Sequence, residues 1–288
     1  MQLLSYFLSK QTKNYGKITN WNNVALSENL FYSFRDTCYN ESNYPSTLHY
    51  HDYYELVVFV EGDIEYLCDE NVYPVKKGDV IIIPPRSFHL SRLINKSTEY
   101  KRHVFYFFGD QIDKELFCLF AKKAKKGEIY NSEKILSLAT DIKEQIKEDC
   151  PVKKALCNAL FTQIICTILS DESMKDGKSQ TLPEKLSQIK SFIDNNYGQI
   201  NSVSAVANEF YYSREYLSRL FKKYFNTTVN EYINKLRVVE SQKLLSKGES
   251  VTDACYRVGF GSLSTYIRVF NSVTGMTPLE YKKAVGIK

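Results

Sequence analysis

Four side chains that can bind a metal ion or a polar ligand occur in two segments of the first half of the chain. His49, His51 and Glu55 are close together in the sequence, and His89 follows the prolines at 84–85. Residues two apart on a strand point to the same side, so we expect the imidazoles of His49 and His51 to share a face. Zinc, manganese, iron and nickel accept imidazole nitrogen and carboxylate oxygen as ligands. These four residues are the predicted metal ligands, and polar strand residues that bind no metal are the alternative interpretation.

Aromatic side chains are frequent around the same segments, and aromatic residues make up 14% of the chain. Aromatic faces combined with a few polar groups suit sugars and other small polar ligands, although most aromatic residues pack in cores. The aromatic residues in or near these segments are Trp21, Tyr50, Tyr53, Tyr54, Tyr66, Phe88 and Tyr106. The predicted effector site consists of His49, His51, Tyr54, Glu55, Arg86 and His89.

Short β-branched and aromatic runs must position these side chains. We predict strands at 56–60, 64–67, 80–83, 89–94 and 103–108, because turn residues such as Gly62 and Gly78 separate them. Regularly spaced short strands are typical of a β-sandwich or barrel. The first half of the chain is therefore predicted to be a barrel.

After Gly109 the hydrophobic period becomes helical. Ile135, Leu138 and Ile142 recur at helical spacing, and Pro151 opens a second helix. The pattern predicts a helical hairpin that follows the barrel. Its apolar faces either pack on the barrel or form a two-fold dimer contact, and both interpretations are open from the sequence.

Basic residues are concentrated in the last third of the chain. Residues 183–288 contain 15 Lys and Arg against 9 Asp and Glu, whereas all four histidines precede them. This asymmetry indicates a polyanion-binding domain, and a solvated basic surface is the alternative. The segment 171–182 has almost no apolar residues and reads as a linker. We therefore predict a sensor and dimerisation domain at 1–170, a linker at 171–182 and a second domain at 183–288.

The composition excludes several classes of protein. With 288 residues, 43% of them hydrophobic and 25% charged, the chain is expected to fold as two domains. Seven scattered cysteines without a Cys-x-x-Cys pair support neither a disulfide framework nor a zinc ribbon. The first residues lack a secretory signal pattern, and we found no membrane-spanning run. A reducing cytoplasm is the expected location.

The last third contains two copies of one pattern. In 202–221 and in 250–270, a short helix, a tight turn and a second helix ending in Arg-x-Phe follow one another. Small residues, Ala207 and Cys255, stand where the two helices must approach closely, and Gly259 suits a left-handed turn. Helix starts are predicted at Ser202, Ser213 and Thr227 or Thr228, and Gly248 ends the connecting helix. That helix of about 19 residues spans roughly 28 Å, so one monomer can present two recognition helices to successive major grooves.

Residues 183–288 resemble the DNA-binding domain of the AraC/XylS family of transcription regulators. The matching motifs are YLSRLFKK at 216–223, VGF at 258–260 and GMTPLEY at 275–281. One departure is that Asn271 and Ser272 follow Phe270, where the family usually has basic residues. The resemblance implies promoter DNA, RNA polymerase and a second copy of the chain as partners.

The histidine segments are similar to the two motifs of cupins, whose three histidines and glutamate hold a divalent metal. This resemblance covers about residues 20–110, and cupin-like barrels are the sensors of many AraC-type regulators. Arg86 stands where cupins prefer glycine, and Leu93 where they prefer asparagine. The resemblance implies an α+β chain of two domains: a cupin-like β-barrel with a helical hairpin, then an all-α domain with two helix-turn-helix units joined by a long helix. It also implies a carbohydrate effector.

Helical geometry assigns roles on the two recognition helices. Arg219 suits a guanine, Glu215 a cytosine and Ile267 a thymine methyl, whereas Lys222 and Lys243 suit phosphates. The predicted DNA contacts are Arg214, Glu215, Ser218, Arg219, Lys222, Lys223, Leu263, Ser264, Ile267 and Arg268. For any one of them, a solvated helix face is the alternative.

We therefore predict a cytoplasmic, ligand-responsive transcription regulator, an activator by resemblance and not an enzyme. No cofactor is required, and a divalent metal in the barrel is the one candidate. Two alternatives belong to other classes. One is a cupin metalloenzyme with an appended DNA-binding domain, and the other is a non-specific architectural DNA binder, which the modest positive charge and Glu215 disfavour.

Overall fold

The computed structural model describes residues 23–40, 47–68, 70–95, 97–124, 129–170 and 180–286. The described residues form two compact units, one up to Thr181 and one from Leu182 onwards. The predicted linker at 171–182 lies mostly outside the described residues. Its end differs from the prediction, because Gln180 and Thr181 form a strand that pairs with the sheet of the first unit.

Two antiparallel sheets form the first unit. One has the strand order β1-β2-β8-β3-β6-β9 and the other β10-β5-β4-β7. The strands are β1 (Val24–Ser27), β2 (Leu30–Asn40), β3 (Tyr54–Glu61), β4 (Ile64–Cys68), β5 (Asn71–Pro74), β6 (Asp79–Ile83), β7 (His89–Leu93), β8 (Ser97–Phe107), β9 (Ile129–Asn131) and β10 (Gln180–Thr181). All five predicted strands are confirmed, and the other five were not predicted. Each sheet alternates side chains between its faces, so one face of the large sheet is turned inward and the other is covered by helices.

Three helices cover the outer face of the large sheet: α1 (Lys114–Lys123), α2 (Glu133–Gln145) and α3 (Pro151–Ser170). Asp113 and Ser132 cap the first two with side-chain hydrogen bonds to backbone N–H groups. The core between helices and sheet contains Tyr32, Phe105 and Phe161. The predicted helical hairpin is confirmed as α2 and α3, whereas α1 was not predicted.

Helix α3, with 20 residues, is long and apolar enough to cross a membrane by length and composition alone. The sequence reading missed this property. In the folded unit, Phe161, Ile164 and Ile168 of α3 are buried in the core against the sheet. The core helix of a globular unit meets the same criteria, so the finding is weak evidence for a membrane span.

The second unit is helical: α4 (Glu184–Asn196), α5 (Val203–Glu209), α6 (Arg214–Phe225), α7 (Val229–Ser246), α8 (Val251–Arg257), α9 (Leu263–Thr274) and α10 (Pro278–Ala284). The predicted N-caps Ser202 and Ser213 each accept a backbone hydrogen bond at 3.1 Å. Thr228 caps α7 in a reciprocal capping box with Glu231. The pairs α5–α6 and α8–α9 are the two predicted helix-turn-helix units.

Helix α7 is the central element of this unit, because it packs against α4, α6, α8, α9 and α10. The small residues Ala207 and Cys255 are buried, as their positions predicted. Gly259 has φ +92°, and a Cβ built on it would lie 2.1 Å from the carbonyl oxygen of Gly198. Both the left-handed conformation and the close approach require glycine at this turn.

Candidate functional site

The predicted histidines meet where the two sheets come together. His49 and His89 form an isolated antiparallel bridge, with N–H to O distances of 3.0 and 2.9 Å in the two directions. His89 begins β7 opposite Cys68, and Glu55 is the second residue of β3. His49 and His51 precede β3 in an extended segment rather than in a named strand. This arrangement brings both sequence segments to one end of the interior.

Hydrogen bonds to main-chain carbonyls fix all three imidazole rings. The Nδ1 atoms of His49, His51 and His89 lie 2.8, 2.8 and 3.0 Å from the carbonyl oxygens of Thr47, Tyr53 and Ser87. A carbonyl only accepts hydrogen bonds, so each Nδ1 must carry the proton and donate it. In a neutral ring the Nε2 atom is then an unprotonated acceptor. This tautomer leaves Nε2, one of the two ring nitrogens that histidines use to bind metals, available as a ligand.

The side chains of His51, Glu55 and His89 converge on one point. Their ligand atoms all lie within 4.8 Å of one another. Glu55 Oε2 is 2.9 Å from His51 Nε2 and 3.5 Å from His89 Nε2. His89 Nε2 is buried and has no hydrogen-bond partner among the described residues. Two unprotonated nitrogens and a carboxylate oxygen therefore face one another, and these are the atoms that would hold a metal ion.

Burial controls the charge of this cluster. It lowers the pKa of His51, and it holds the pKa of His49 well below the ordinary value. Burial alone would raise the pKa of Glu55, but the interactions of its carboxylate with His51 and His89 outweigh burial and hold that pKa well below its usual range. Neutral imidazoles beside an ionised carboxylate are a donor set suited to a divalent metal.

His49 is adjacent to the converging set without belonging to it. Its ring centroid is 4.1 Å from that of His89 and 6.4 Å from that of His51. Of the four predicted metal ligands, the structure thus brings three ligand atoms together and leaves His49 beside them.

Two predicted effector residues lie elsewhere. Tyr54 packs on Phe107 and Phe120 under the helices, with ring centroids 5.4 and 5.6 Å away, so it faces away from the interior. This position differs from the inward one expected of an effector contact, because neighbouring strand residues point to opposite sides and Glu55 takes the inward position. Arg86 adopts a left-handed φ of 64°, and its Nε donates to Asp52 Oδ1 at 2.7 Å. Its backbone N–H donates to the His51 carbonyl at 2.6 Å, so Arg86 holds the histidine segment in place.

The inward face also carries residues that the sequence reading missed. Arg35 donates a hydrogen bond to the Tyr106 hydroxyl, and the Arg102 guanidinium lies 3.8 Å from the centroid of the Tyr100 ring. Tyr66 on the opposite sheet shares a hydrogen bond with the Tyr100 hydroxyl. Strict alternation along β2 and β8 would have assigned both arginines to this face. Trp21, an aromatic residue predicted near the effector site, lies outside the described residues.

Tyr53 and Tyr106 join this region to the histidine cluster. Tyr53 stacks on the His51 ring, with 4.1 Å between ring centroids and 4° between ring planes. It meets Tyr106 edge-on, with 5.5 Å between ring centroids. Burial raises the pKa of Tyr106, so its hydroxyl is protonated at neutral pH. A continuous aromatic wall with polar edges therefore runs from the cluster to Arg35.

The first recognition helix, α6, presents a charged face. Arg214, Glu215, Arg219, Lys222 and Lys223 are exposed, and Ser218 is half-buried. Leu217 and Phe221 are buried as predicted, whereas Leu220 is only half-buried and Phe225 completes the core instead. The helix ends at Asn226, which takes a left-handed conformation. Five of the six residues predicted on α6 are thus fully accessible to a ligand.

The second recognition helix, α9, is less polar. Ser264 and Arg268 are exposed, and Leu263 and Ile267 are half-buried. Tyr266 and Phe270 anchor the helix in the core. The predicted phosphate contact Lys243 lies on α7 rather than on a recognition helix, and it pairs with Glu240 at 2.5 Å.

Two exposed aromatic residues of the first helix-turn-helix unit were overlooked. Tyr211 lies in the turn between α5 and α6 with φ 57°, and its side chain is 96% exposed. Tyr216 on α6 is also exposed and contacts Tyr212, with 4.7 Å between ring centroids. Exposed aromatics at the start of a recognition helix are available for contacts with DNA sugars and bases. Clustered tyrosines at 211, 212 and 216 were the sequence signal.

A barrel with an inward polar site joined to a unit with two helix-turn-helix pairs defines a class of ligand-sensing DNA-binding regulator. The model of the AraC-like ligand binding domain matches residues 34–165, and the model of a helix-turn-helix domain matches residues 206–284. The chain belongs to the AraC family of transcription regulators. Its named relatives are DNA-binding transcription regulators with helix-turn-helix motifs.

Relatives of known name extend over both units. The HTH-type transcriptional activator RhaR of Mannheimia succiniciproducens is 24% identical over 83% of this chain and 87% of its own length. The melibiose operon regulatory protein of Escherichia coli K12 is 23% identical over 82% of this chain and 83% of its own. The crystal structure of ToxT from Vibrio cholerae O395 matches 88% of this chain and 98% of that chain, with 16% identity and a TM-score of 0.37.

Proposed function

We propose that this chain is a cytoplasmic transcription activator that binds a specific operator with both helix-turn-helix units and responds to a small polar effector in the barrel. The exposed charged face of α6 is the observation that carries the DNA-binding part. Arg219 reads a guanine and Glu215 a cytosine, while Lys222 and Lys223 contact phosphates. Because α9 offers fewer charges, α6 makes the stronger contribution. RNA polymerase is the proposed partner at the promoter.

Selection of bound fragments from genomic DNA tests this function. The full chain should enrich a motif of two short blocks about one helical turn apart. Arg219→Ala should weaken binding by about 1–3 kcal/mol and relax one base position. Lys185→Ala, an exposed charge on α4, is the matched control and should leave the motif unchanged. Unaltered affinity of the Arg219 variant would remove this residue from base readout.

A carbohydrate is the proposed effector class. The aromatic wall formed by Tyr53 and Tyr106, with polar edges, supports it, as does the similarity to a melibiose operon regulator. A thermal-shift panel of sugars on the full chain measures it directly. Stabilisation by one sugar, lost in Tyr106→Ala, is the expected result, and a panel without any response contradicts the proposal.

We propose that His51, Glu55 and His89 are the ligands of a divalent metal. His49 lies beside this set and is the fourth candidate ligand. Metal–ligand bonds of about 2.1 Å at angles of 90–110° place ligand atoms about 3.0–3.4 Å apart. The two distances from Glu55 to the imidazole nitrogens, 2.9 and 3.5 Å, are close to this range, and the whole set lies within 4.8 Å. A metal there would supply a Lewis acid that binds effector hydroxyls. Elemental analysis of untagged protein should find one equivalent, which Glu55→Gln removes and Glu65→Gln retains. A content near zero in metal-supplemented cells overturns the proposal.

The outer face of α3 is the proposed dimer contact. Val152 and Leu156 are 74% and 43% exposed, and Ala155, Ala159 and Cys166 extend the same stripe along the helix. An isologous contact would bury this stripe against its copy. Sedimentation should show a dimer that Leu156→Glu converts to a monomer. The control Leu119→Glu changes a leucine on α1 that is 55% exposed, slightly more than Leu156, and should leave the dimer intact.

A further inference from the structure

We propose that the inward face of the barrel binds an oxyanion, a carboxylate or a phosphate of the effector, between Arg35 and Arg102. This inference rests on the proposed sensor function and specifies the chemical class of the effector. It assigns an acidic polar molecule, such as an acidic sugar derivative, in place of a neutral one.

The register of the large sheet places the two arginines directly opposite each other. Arg35 of β2 pairs with Arg102 of β8, so both side chains point to the same face. The next pair along, Phe34 and His103, contact each other at 4.9 Å on the helix-covered face. Alternation therefore turns both guanidinium groups inward.

Buried tyrosines fix the position of each guanidinium. Arg102 stacks on Tyr100, and Arg35 contacts Tyr106 through both its ring and its hydroxyl. These tyrosines are 0% and 3% exposed, so they are rigid supports. Stacking uses the flat face of a guanidinium, whereas oxyanions bind in its plane, often through two parallel hydrogen bonds. The supports thus orient both groups for an oxyanion between them.

Charge at this position favours an anion. Like charges directly opposite on neighbouring strands destabilise a sheet, and the partly buried location strengthens that repulsion. The inward carboxylate of Glu55, opposite Tyr106 on the neighbouring strand, is engaged by His51 and His89. An oxyanion bridging the two arginines would accept charge-assisted hydrogen bonds from both guanidinium groups.

A second, independent feature points to a ligand at the same place. Ser33 precedes Arg35 by two residues on β2 and therefore shares its face. Its side chain is 1% exposed, and its Oγ has no hydrogen-bond partner among the described residues. A buried hydroxyl without a partner costs stability that a polar ligand atom would recover. The ligand is thus expected to carry hydroxyl groups beside its acidic group.

Thermal unfolding of the full chain with inorganic phosphate or acetate, against chloride at equal ionic strength, tests the oxyanion site directly. We expect a rise in Tm of roughly 3 °C or more near saturation. The double variant Arg35→Gln/Arg102→Gln should lose the rise. Arg92→Gln, which breaks the 2.6 Å pair with Glu65, should retain it. Arg35→Lys keeps the positive charge but cannot donate two parallel hydrogen bonds to one oxyanion, so it should show a smaller rise in Tm.

Matched sugars then identify the source of the oxyanion. Calorimetric titration compares glucuronate and glucose 6-phosphate with glucose, and galacturonate with galactose. At least tenfold tighter binding of an acidic member, abolished in the double variant, supports the proposal, and the better acidic probe distinguishes carboxylate from phosphate. Equal binding of neutral sugars overturns the acidic class while the sensor function stands. Absence of any oxyanion effect in either assay overturns the site, and DNA selection independently tests the regulator function.

Discussion

Gly259 connects the two helices of the second helix-turn-helix unit, and replacing it with alanine should disrupt that unit. A left-handed conformation costs a residue with a Cβ roughly 1–2 kcal/mol. The new Cβ would also lie 2.1 Å from Gly198 O, so the turn at 197–200 must move by about 1 Å. Arg237 holds this turn with hydrogen bonds of 2.8–3.1 Å to the carbonyls of Tyr197 and Ile200. Weakening one of these hydrogen bonds adds about 1.5–3 kcal/mol, for a total of about 2.5–5 kcal/mol.

Hydrogen exchange of the full chain measures this effect locally. Peptides from α8 and α9 should exchange faster in Gly259→Ala, by at least a hundredfold if the loss reaches 3 kcal/mol. Gly261→Ala is the control, since a Cβ there meets no atom within 4 Å and its φ is not positive. Operator affinity should fall only in the first variant. Equal protection in the two variants would refute the steric argument.

Three further predictions concern stability. Burial, with a smaller effect of Lys143, lowers the pKa of His103 to about 4 from an ordinary 6.5. As pH falls below 6.5, the unfolded chain therefore binds this proton before the folded chain does. The free energy of unfolding of the first unit, measured by urea titration, should fall by about 2 kcal/mol by pH 5. The decrease should be smaller in His103→Gln. Thr228→Ala removes the α7 capping box and should cost about 1 kcal/mol in the same assay, while Thr228→Ser should not. Asp194→Ala leaves the buried ammonium of Lys190 without its partner at 2.6 Å and should lower the free energy of unfolding by about 3–5 kcal/mol. Adding Lys190→Met should restore most of this loss, because it removes the unpaired charge. The same loss in the double variant would contradict this reasoning.

Local signals explain which features the sequence predicts well. Ser202, Ser213 and Thr228 act within one helical turn of themselves, so their capping roles follow from neighbouring residues. Gly259 likewise reports a conformation that its own backbone adopts. The helix-turn-helix units were recognisable for this reason.

Features that depend on distant partners were missed or misassigned. Strand β2 carries aromatic and polar residues on both faces, because one face packs under helices and the other lines a polar interior. The usual alternation of apolar and polar residues is therefore absent. Tyr54 was assigned to the interior by composition, although its neighbour Glu55 required the opposite side. Only the register of β2 with β8 shows that Arg35 and Arg102 meet.

The packing of α7 against helices of both helix-turn-helix units has a consequence for the evolution of target promoters. Because both helix-turn-helix units pack on this one 18-residue helix, the recognition helices α6 and α9 are held at a fixed distance and a fixed rotation relative to each other. One inserted base pair would rotate one half of the operator by about 35° and shift it by about 3.4 Å relative to the other. No movement within the unit compensates for such an offset. Target promoters are thus free to drift by base substitution within each block, while insertions and deletions between the blocks are selected against.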